Sequence, residues 1–327
     1  MAGSQDSALA IAVSNAGGLG SLPCAMLTPA QVRGELARII ETTSRPFNVN
    51  FFCHMPPAFD AARDAAWRSA LSGYYEEFGV TPPAGEMGGA RLPFDADAAA
   101  LVEEFRPPVV SFHFGLPSPE LFARVKRAGA KILSSATTVA EGEWLEANGV
   151  DAIVAQGVEA GGHRGMFLDL DLATQMPTLD LVRQIVKAVR VPVIAAGGIG
   201  DATQVSAALA AGAAGVQVGT AYLLCPEATT GACHRAALRT DAVRSTAITN
   251  VLTGRPARGI VNRLMREIGP MNDGAPAFPL AAGYVAPLRA AAEAQGRSDF
   301  STMWCGENAG CGDMPAGELT RRLAAGA

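Results

Sequence analysis

Short apolar runs without polar alternation recur along the first two thirds of this chain, with helical patterns between most of them. The runs are 19–22, 46–52 (PFNVNFF), 109–114 (VVSFHF), 131–136, 152–156 (AIVAQ), 191–196 (VPVIAA) and 215–219 (GVQVG). Continuous apolar runs suit strands covered on both faces. Helical patterns lie at 28–42, 118–128, 139–148, 179–189 and 201–211. Thr28-Pro29 reads as an N-cap followed by an N1 proline, and Asp201 reads as an N-cap. Strand–helix alternation requires crossovers and so a parallel sheet. Two closures are open. One is a doubly wound open sheet. The other is a TIM (β/α)8 barrel with its first strand missing, because the runs number seven and the chain opens in a helix-like stretch at 7–15.

The remaining segments are additions. Residues 56–93 are rich in Ala, Gly and Pro, carry a helical patch at 60–75, and read as an insertion. Residues 225–327 read as helices, at 228–239, 280–295 and 316–325. The expected organisation is a barrel over 1–224 and a helical region over 225–327 packed on it. With 49% hydrophobic and 17% charged residues the chain can bury a large core. A net charge of −5 argues against nucleic acid or an anionic membrane as partner. No run of 18 apolar residues occurs, and the opening MAGSQDSALA has no basic region of the signal-peptide kind. The expected location is cytoplasmic. The six cysteines, Cys24, Cys53, Cys225, Cys233, Cys305 and Cys311, read as reduced thiols, and no C-x-x-C or H-E-x-x-H pattern suggests a metal.

In a parallel barrel the chemistry sits where the strands end. Gly197-Gly198-Ile199-Gly200-Asp201 follows one run, and Gly219-Thr220 closes the next. Glycines let the backbone approach a phosphate, and a helix N-terminus offers free N–H groups. Two such turns after the last two strands point to a phosphate group, and their spacing is not the dinucleotide G-x-G-x-x-G. After 152–156 comes Gly157-Val158-Glu159-Ala160-Gly161-Gly162-His163-Arg164-Gly165, a loop able to fold over a ligand and present an imidazole. His163 therefore has the best catalytic setting of the four histidines. His54 fits packing as well as function, His113 reads as a core histidine, and His234 as a capped surface residue. Arg164 either binds an anion or ties down its loop. Asn50, two residues from Asn48, either meets a ligand's ring edge or ties strands together. Ser134, Ser135 and Thr137 are small polar candidates for the same pocket.

Six segments resemble the nitronate monooxygenase family: AVSNAGGLGSL (12–22), PFNVNFF (46–52), VSFHFGLP (110–117), AQGVEAGGHRG (155–165), VIAAGGIGDA (193–202) and VQVGTAYL (216–223). They span almost the whole chain in the family's order. The resemblance implies a TIM barrel that binds FMN and no metal. It implies a small-molecule nitronate as substrate, oxidised with O2 to a carbonyl compound and nitrite. It also implies FMN contacts by Asn50, Gln156, Gly161, Gly198, Gln217, Val218, Gly219 and Thr220, with His163 as the catalytic histidine. Met1-Ala2-Gly3 resembles the tail of a segment that touches the flavin, which implies one strand upstream. Trp304-Cys305-Gly306-Glu307-Asn308-Ala309 resembles a W-A-G-Q-N-A segment with Cys and Glu substituted. Two alternatives stand beside this reading. One is an FMN-dependent NAD(P)H:quinone or enoyl-thioester reductase, and the other is a truncated, non-catalytic barrel. The sequence leaves homo-oligomer formation open.

Overall fold

The computed structural model describes residues 1–85, 91–307, 310 and 312–327. In chain order the elements begin α1 (Ser7–Asn15), β1 (Gly20–Pro23), α2 (Pro29–Thr42), β2 (Phe47–Phe52), α3 (Ala61–Phe78), α4 (Ala96–Phe105), β3 (Val109–His113), α5 (Pro119–Arg127) and β4 (Lys131–Ala136). They continue with α6 (Val139–Ala147), β5 (Ala152–Gln156), β6 (Gly162–His163), α7 (Thr178–Ala188), β7 (Val193–Ala196), α8 (Ala202–Ala210) and β8 (Gly215–Gln217). The last part holds α9 (Ala232–Leu238), β9 (Thr246–Thr249), β10 (Ala257–Ile260), α10 (Arg263–Ile268), α11 (Ala281–Ala294) and α12 (Ala316–Ala324).

The seven expected runs form one curled parallel sheet in the order β1-β2-β3-β4-β5-β7-β8. Chain order equals strand order, so each helix crosses over in the same sense, and β1 and β8 are the edges. Side-chain caps start the helices. Thr28 and Asp201 each form a capping box with the glutamine three residues on, Gln31 and Gln204. Asp6, Asp60, Asp95, Ser118 and Thr138 cap α1, α3, α4, α5 and α6. Each such cap contributes about 1 kcal/mol.

The main core lies between sheet and helices, with Leu22, Val110, Ile132, Ile153 and Ala195 fully buried, and α12 adds Leu319 and Leu323 to it. A second core joins Trp67, Leu71 and Tyr75, one stripe of α3, to Tyr284, Val285 and Leu288 of α11. The segment inserted after β2 therefore packs on the C-terminal region.

Three features depart from the sequence reading. Helix α4 was not foreseen. The region after residue 225 is not helical throughout: β9 and β10 pair antiparallel, and β10 also pairs with β6. His234 is not a surface residue but is buried in α9. No helix among the described residues is long and apolar enough to cross a membrane.

Candidate active site

Parallel strands alternate their side chains between faces, so residues two apart share a face. Asn48 and Asn50 therefore point the same way, and register sets Asn50 beside Ser111 of β3. Asn48 Nδ2 donates to the hydroxyls of Ser21 (2.7 Å) and Ser111 (2.8 Å). Asn50 Nδ2 donates to Ser111 Oγ at 2.8 Å. Through Nδ2 both amides tie strands together, and Asn50 Oδ1 has no partner among the described residues.

Residues 157–165 leave β5 and return as β6. Gly162, at φ +76°, turns the chain so that Gly162 and His163 pair with Arg258 and Ala257 of β10. Gly161 must be glycine for a different reason. A Cβ there would sit 2.5 Å from the Gly306 nitrogen and 2.6 Å from the Cys305 carbonyl carbon. Gln156 spans the loop, accepting from Gly165 N (2.7 Å) and donating to His163 O (2.9 Å). Arg164 is 0% exposed. Its guanidinium donates to Gly157 O (2.7 Å), Gln156 O (2.8 Å) and Gln175 Oε1 (2.8 and 3.0 Å). It ties down its loop and leaves no fork for a ligand.

His113 supports the same loop. Its Nε2 lies 3.1 Å from His163 O and its Nδ1 2.9 Å from Ser135 Oγ. A carbonyl only accepts, so Nε2 carries the proton and Nδ1 accepts from the serine. Burial holds its pKa near 4, so it stays neutral.

His163 itself lies with Nε2 2.9 Å from Thr253 Oγ1. The threonine hydroxyl has the Arg255 carbonyl as its acceptor at 3.5 Å, which leaves its oxygen to accept His163 Nε2–H. Nδ1 then keeps its lone pair and meets no partner among the described residues. The ring stands against Phe278 (5.1 Å between centroids) and Trp304 (5.3 Å), with Phe52 and Phe114 behind. Burial, and then the charge of Arg91, hold its pKa well below the ordinary histidine value. It is a neutral imidazole at pH 7. His54 packs edge-on against Phe278 at 4.8 Å, and burial lowers it to about 4.

The two glycine turns sit as expected at the ends of β7 and β8. Gly197 and Gly198 have φ of +123° and +67°, and a short 3-10 helix, Thr220–Tyr222, follows Gly219. The N–H groups of Gly200 and Asp201 go to Gln204 Oε1. Those of Gly198 and Ile199 meet no acceptor among the described residues. Segment 305–307 connects this end to the histidine loop. Gly306 N donates to Thr220 Oγ1 at 2.9 Å, Glu307 N donates to Glu159 O at 2.9 Å, and the Glu307 carboxylate pairs with Arg258 at 2.5 Å. Gly161, Gly198 and Thr220 thus border one stretch of backbone. Met1 packs beside Gly219, Val218 is half-buried, and Gln217 is exposed. Asn308, Ala309 and Cys311 lie outside the described residues.

Sequence reasoning missed Thr253, Arg255, Phe278 and Arg91. The one local signal was Thr253-Gly254-Arg255-Pro256, a turn pattern. Gly254, at φ +91°, brings that turn within 2.2 Å of Pro276 O for any added Cβ. Among the described residues no three His, Cys, Asp or Glu side chains gather to hold a metal. A separate cavity of about 520 Å³ lies between Phe59–Asp64 and Pro276–Tyr284, and no histidine lines it.

A parallel α/β sheet, with a neutral histidine and two glycine turns gathered where its strands end, is the plan of an enzyme acting on a small ligand. Residues 1–326 match the nitronate monooxygenase family model. The chain is 42% identical to a nitronate monooxygenase of Paraburkholderia phytofirmans over 99% of its own length and 89% of the relative's. It is 41% identical to one of Pseudomonas aeruginosa, over 99% and 93%. The nitroalkane oxidase structure from Streptomyces ansochromogenes superposes with a TM-score of 0.90 at 39% identity, over 99% of this chain and 93% of that one. FabK from Thermotoga maritima, at 24% identity and a TM-score of 0.73 over 100% and 90%, shares the fold. The chain belongs to the nitronate monooxygenase family, a family of flavin-dependent oxidoreductases.

Proposed function

We propose that the chain oxidises alkyl nitronates with O2 to a carbonyl compound and nitrite, using FMN, with His163 as its acid–base residue. The setting of His163 carries this reading: a neutral imidazole, fixed through its own backbone to β10 and through Nε2 to Thr253, standing in an aromatic wall. With Nε2 protonated, Nδ1 is free to take a proton from the α-carbon of a nitroalkane. A nitronate has no such proton to lose, and toward it His163 acts by position.

FMN when bound supplies the redox chemistry. The residues proposed to hold it are Asn50, Gln156, Gly161, Gly198, Gln217, Val218, Gly219 and Thr220. The unmet N–H groups of Gly198 and Ile199 suit a phosphate oxygen, and the free Oδ1 of Asn50 suits a ring-edge N–H. Gln156 spends both ends of its amide on the histidine loop, so its role is to hold that loop against the cofactor. The sheet is read as a TIM barrel with one strand position open between β1 and β8. Residues 1–224 form the barrel unit, and 225–327 pack on it and supply Thr253 and Trp304.

The test is His163→Asn with two substrates. Turnover of a neutral nitroalkane should fall about 10²–10⁴-fold, the usual worth of a general base. Turnover of a preformed nitronate should fall far less. Equal losses would mean that His163 only positions the substrate. Flavin content is measured in each preparation, because a lost cofactor would mimic a lost base.

A further inference from the structure

Most guanidinium groups in this protein have evident partners. Arg33, Arg124, Arg239 and Arg263 pair with carboxylates, and the buried Arg164 spends its donors on carbonyl oxygens. Arg91 does neither. It is 8% exposed, and among the described residues its guanidinium has no ion pair and no hydrogen-bond acceptor. Its Cζ lies over the Phe278 ring at 5.9 Å, and that ring also packs against His163 and His54.

Arg255 reaches the same aromatic cluster. Its Cζ lies 4.2 Å over Phe114, and Phe114 and Phe278 pack at 5.5 Å. One of its Nη atoms donates to Met166 O, while its Nε is buried with no acceptor among the described residues. Burial lowers both arginines to about 10, so both stay charged at pH 7. A buried cation without an ion pair is costly, and two near one wall are costlier. The Glu141 carboxylate offsets part of that cost for Arg255, and no carboxylate among the described residues does so for Arg91. The arrangement is the reverse of what folding alone would select, and it suits an anion.

We propose that Arg91 and Arg255 form the anion-recognising wall of the His163 site and take the charge of the nitronate NO2 group. The proposal rests on the nitronate reading above and assigns these residues to it. A nitronate spreads its negative charge over two coplanar oxygens, which match the guanidinium fork as a carboxylate does. A neutral nitroalkane lacks that charge. Nitrite keeps both charge and O–N–O geometry, so the wall should bind it too.

The experiment uses the flavin-loaded Arg91→Gln and Arg91→Lys enzymes, with sodium nitrite as the inorganic probe at constant ionic strength. In Arg91→Gln the nitronate KM and the nitrite inhibition constant should both rise about tenfold or more, the loss of roughly one charged contact, with kcat little changed. Arg91→Lys should recover part of both, because it keeps the charge and loses the fork. An unchanged KM and inhibition constant in Arg91→Gln, or a fall in kcat alone, would overturn the assignment. Should Arg91→Gln not fold, Arg91→Lys decides: a nitronate KM equal to that of the wild type overturns it. Calorimetric titration of the wild type with nitrite is independent of turnover. Saturable binding that weakens in the Arg91 variants supports the wall even if no nitronate is oxidised, whereas no binding contradicts it.

Discussion

Arg164→Met removes a buried cation that forms no ion pair among the described residues, yet it should destabilise the protein. Methionine fills much of the volume and needs no hydrogen bond. What it abandons are the acceptors: Gly157 O, Gln156 O and Gln175 Oε1, all met by the guanidinium at 2.7–3.0 Å. A buried acceptor left unmet costs about 1–3 kcal/mol. Three of them, offset by the relief of no longer burying a charge, leave a net loss of about 3 kcal/mol. At roughly 2.1 cal/mol/K per residue of unfolding entropy, a chain of this length loses about 4 °C in Tm. Differential scanning calorimetry resolves that shift. Amide exchange at Gly165, whose N–H is held by Gln156, should speed up in the same variant because the loop loses its anchor. Arg164→Lys should recover little, since one ammonium cannot reach three acceptors in a fork. A melting point within about 1 °C of the wild type, with unchanged exchange at Gly165, would refute the view that Arg164 holds the histidine loop.

Gly161→Ala places a Cβ where the backbone of Cys305 and Gly306 already runs, so segment 305–307 must move away from Thr220. Flavin affinity, read by fluorescence titration, should fall about tenfold or more, the equivalent of one lost polar contact; an unchanged affinity would detach that segment from the cofactor site. Acid should weaken the fold early. His54, His113 and His234 are held near 4 by burial, and His163 is also well below its ordinary value. The unfolded chain takes up those protons near pH 6.5. It therefore binds more protons than the fold between about pH 6.5 and 4, so this stability is complete above that window and is lost as pH falls through it. Urea midpoints that stay flat from pH 7 to 4 would contradict the burial of these imidazoles.

The parallel sheet was legible because its signal is local. The runs 131–136 and 152–156 coincide with β4 and β5 at both ends, each run following a glycine-containing turn that stops the preceding helix. β9 and β10 were not legible. Thr246–Thr249 and Ala257–Ile260 are short and partly polar, and they become strands by pairing with each other and with the histidine loop, nearly a hundred residues away. The site divides in the same way. His163 and the glycine turns stand out because glycines mark special backbone in the sequence itself. Arg164 left two readings open, since only its three acceptors decide between them. Thr253, Phe278 and Arg91 matter through contacts that no spacing along the chain encodes. His234 was misread because a helical pattern at 228–239 does not tell which neighbours cover a residue on it.

The central claim is nitronate oxidation with FMN at His163. Its most direct test is the release of nitrite from an alkyl nitronate in air-saturated buffer by the purified protein, with the flavin extracted and identified from the same preparation. The account predicts yellow protein that releases FMN rather than FAD, and nitrite formed together with a carbonyl compound as oxygen is consumed. Gly198→Asp, which sets a side chain and a negative charge into the glycine turn proposed to hold the phosphate, should yield colourless, inactive protein. Wild-type protein that stays colourless in added FMN, or that carries FMN yet forms no nitrite from any nitronate, would contradict the account.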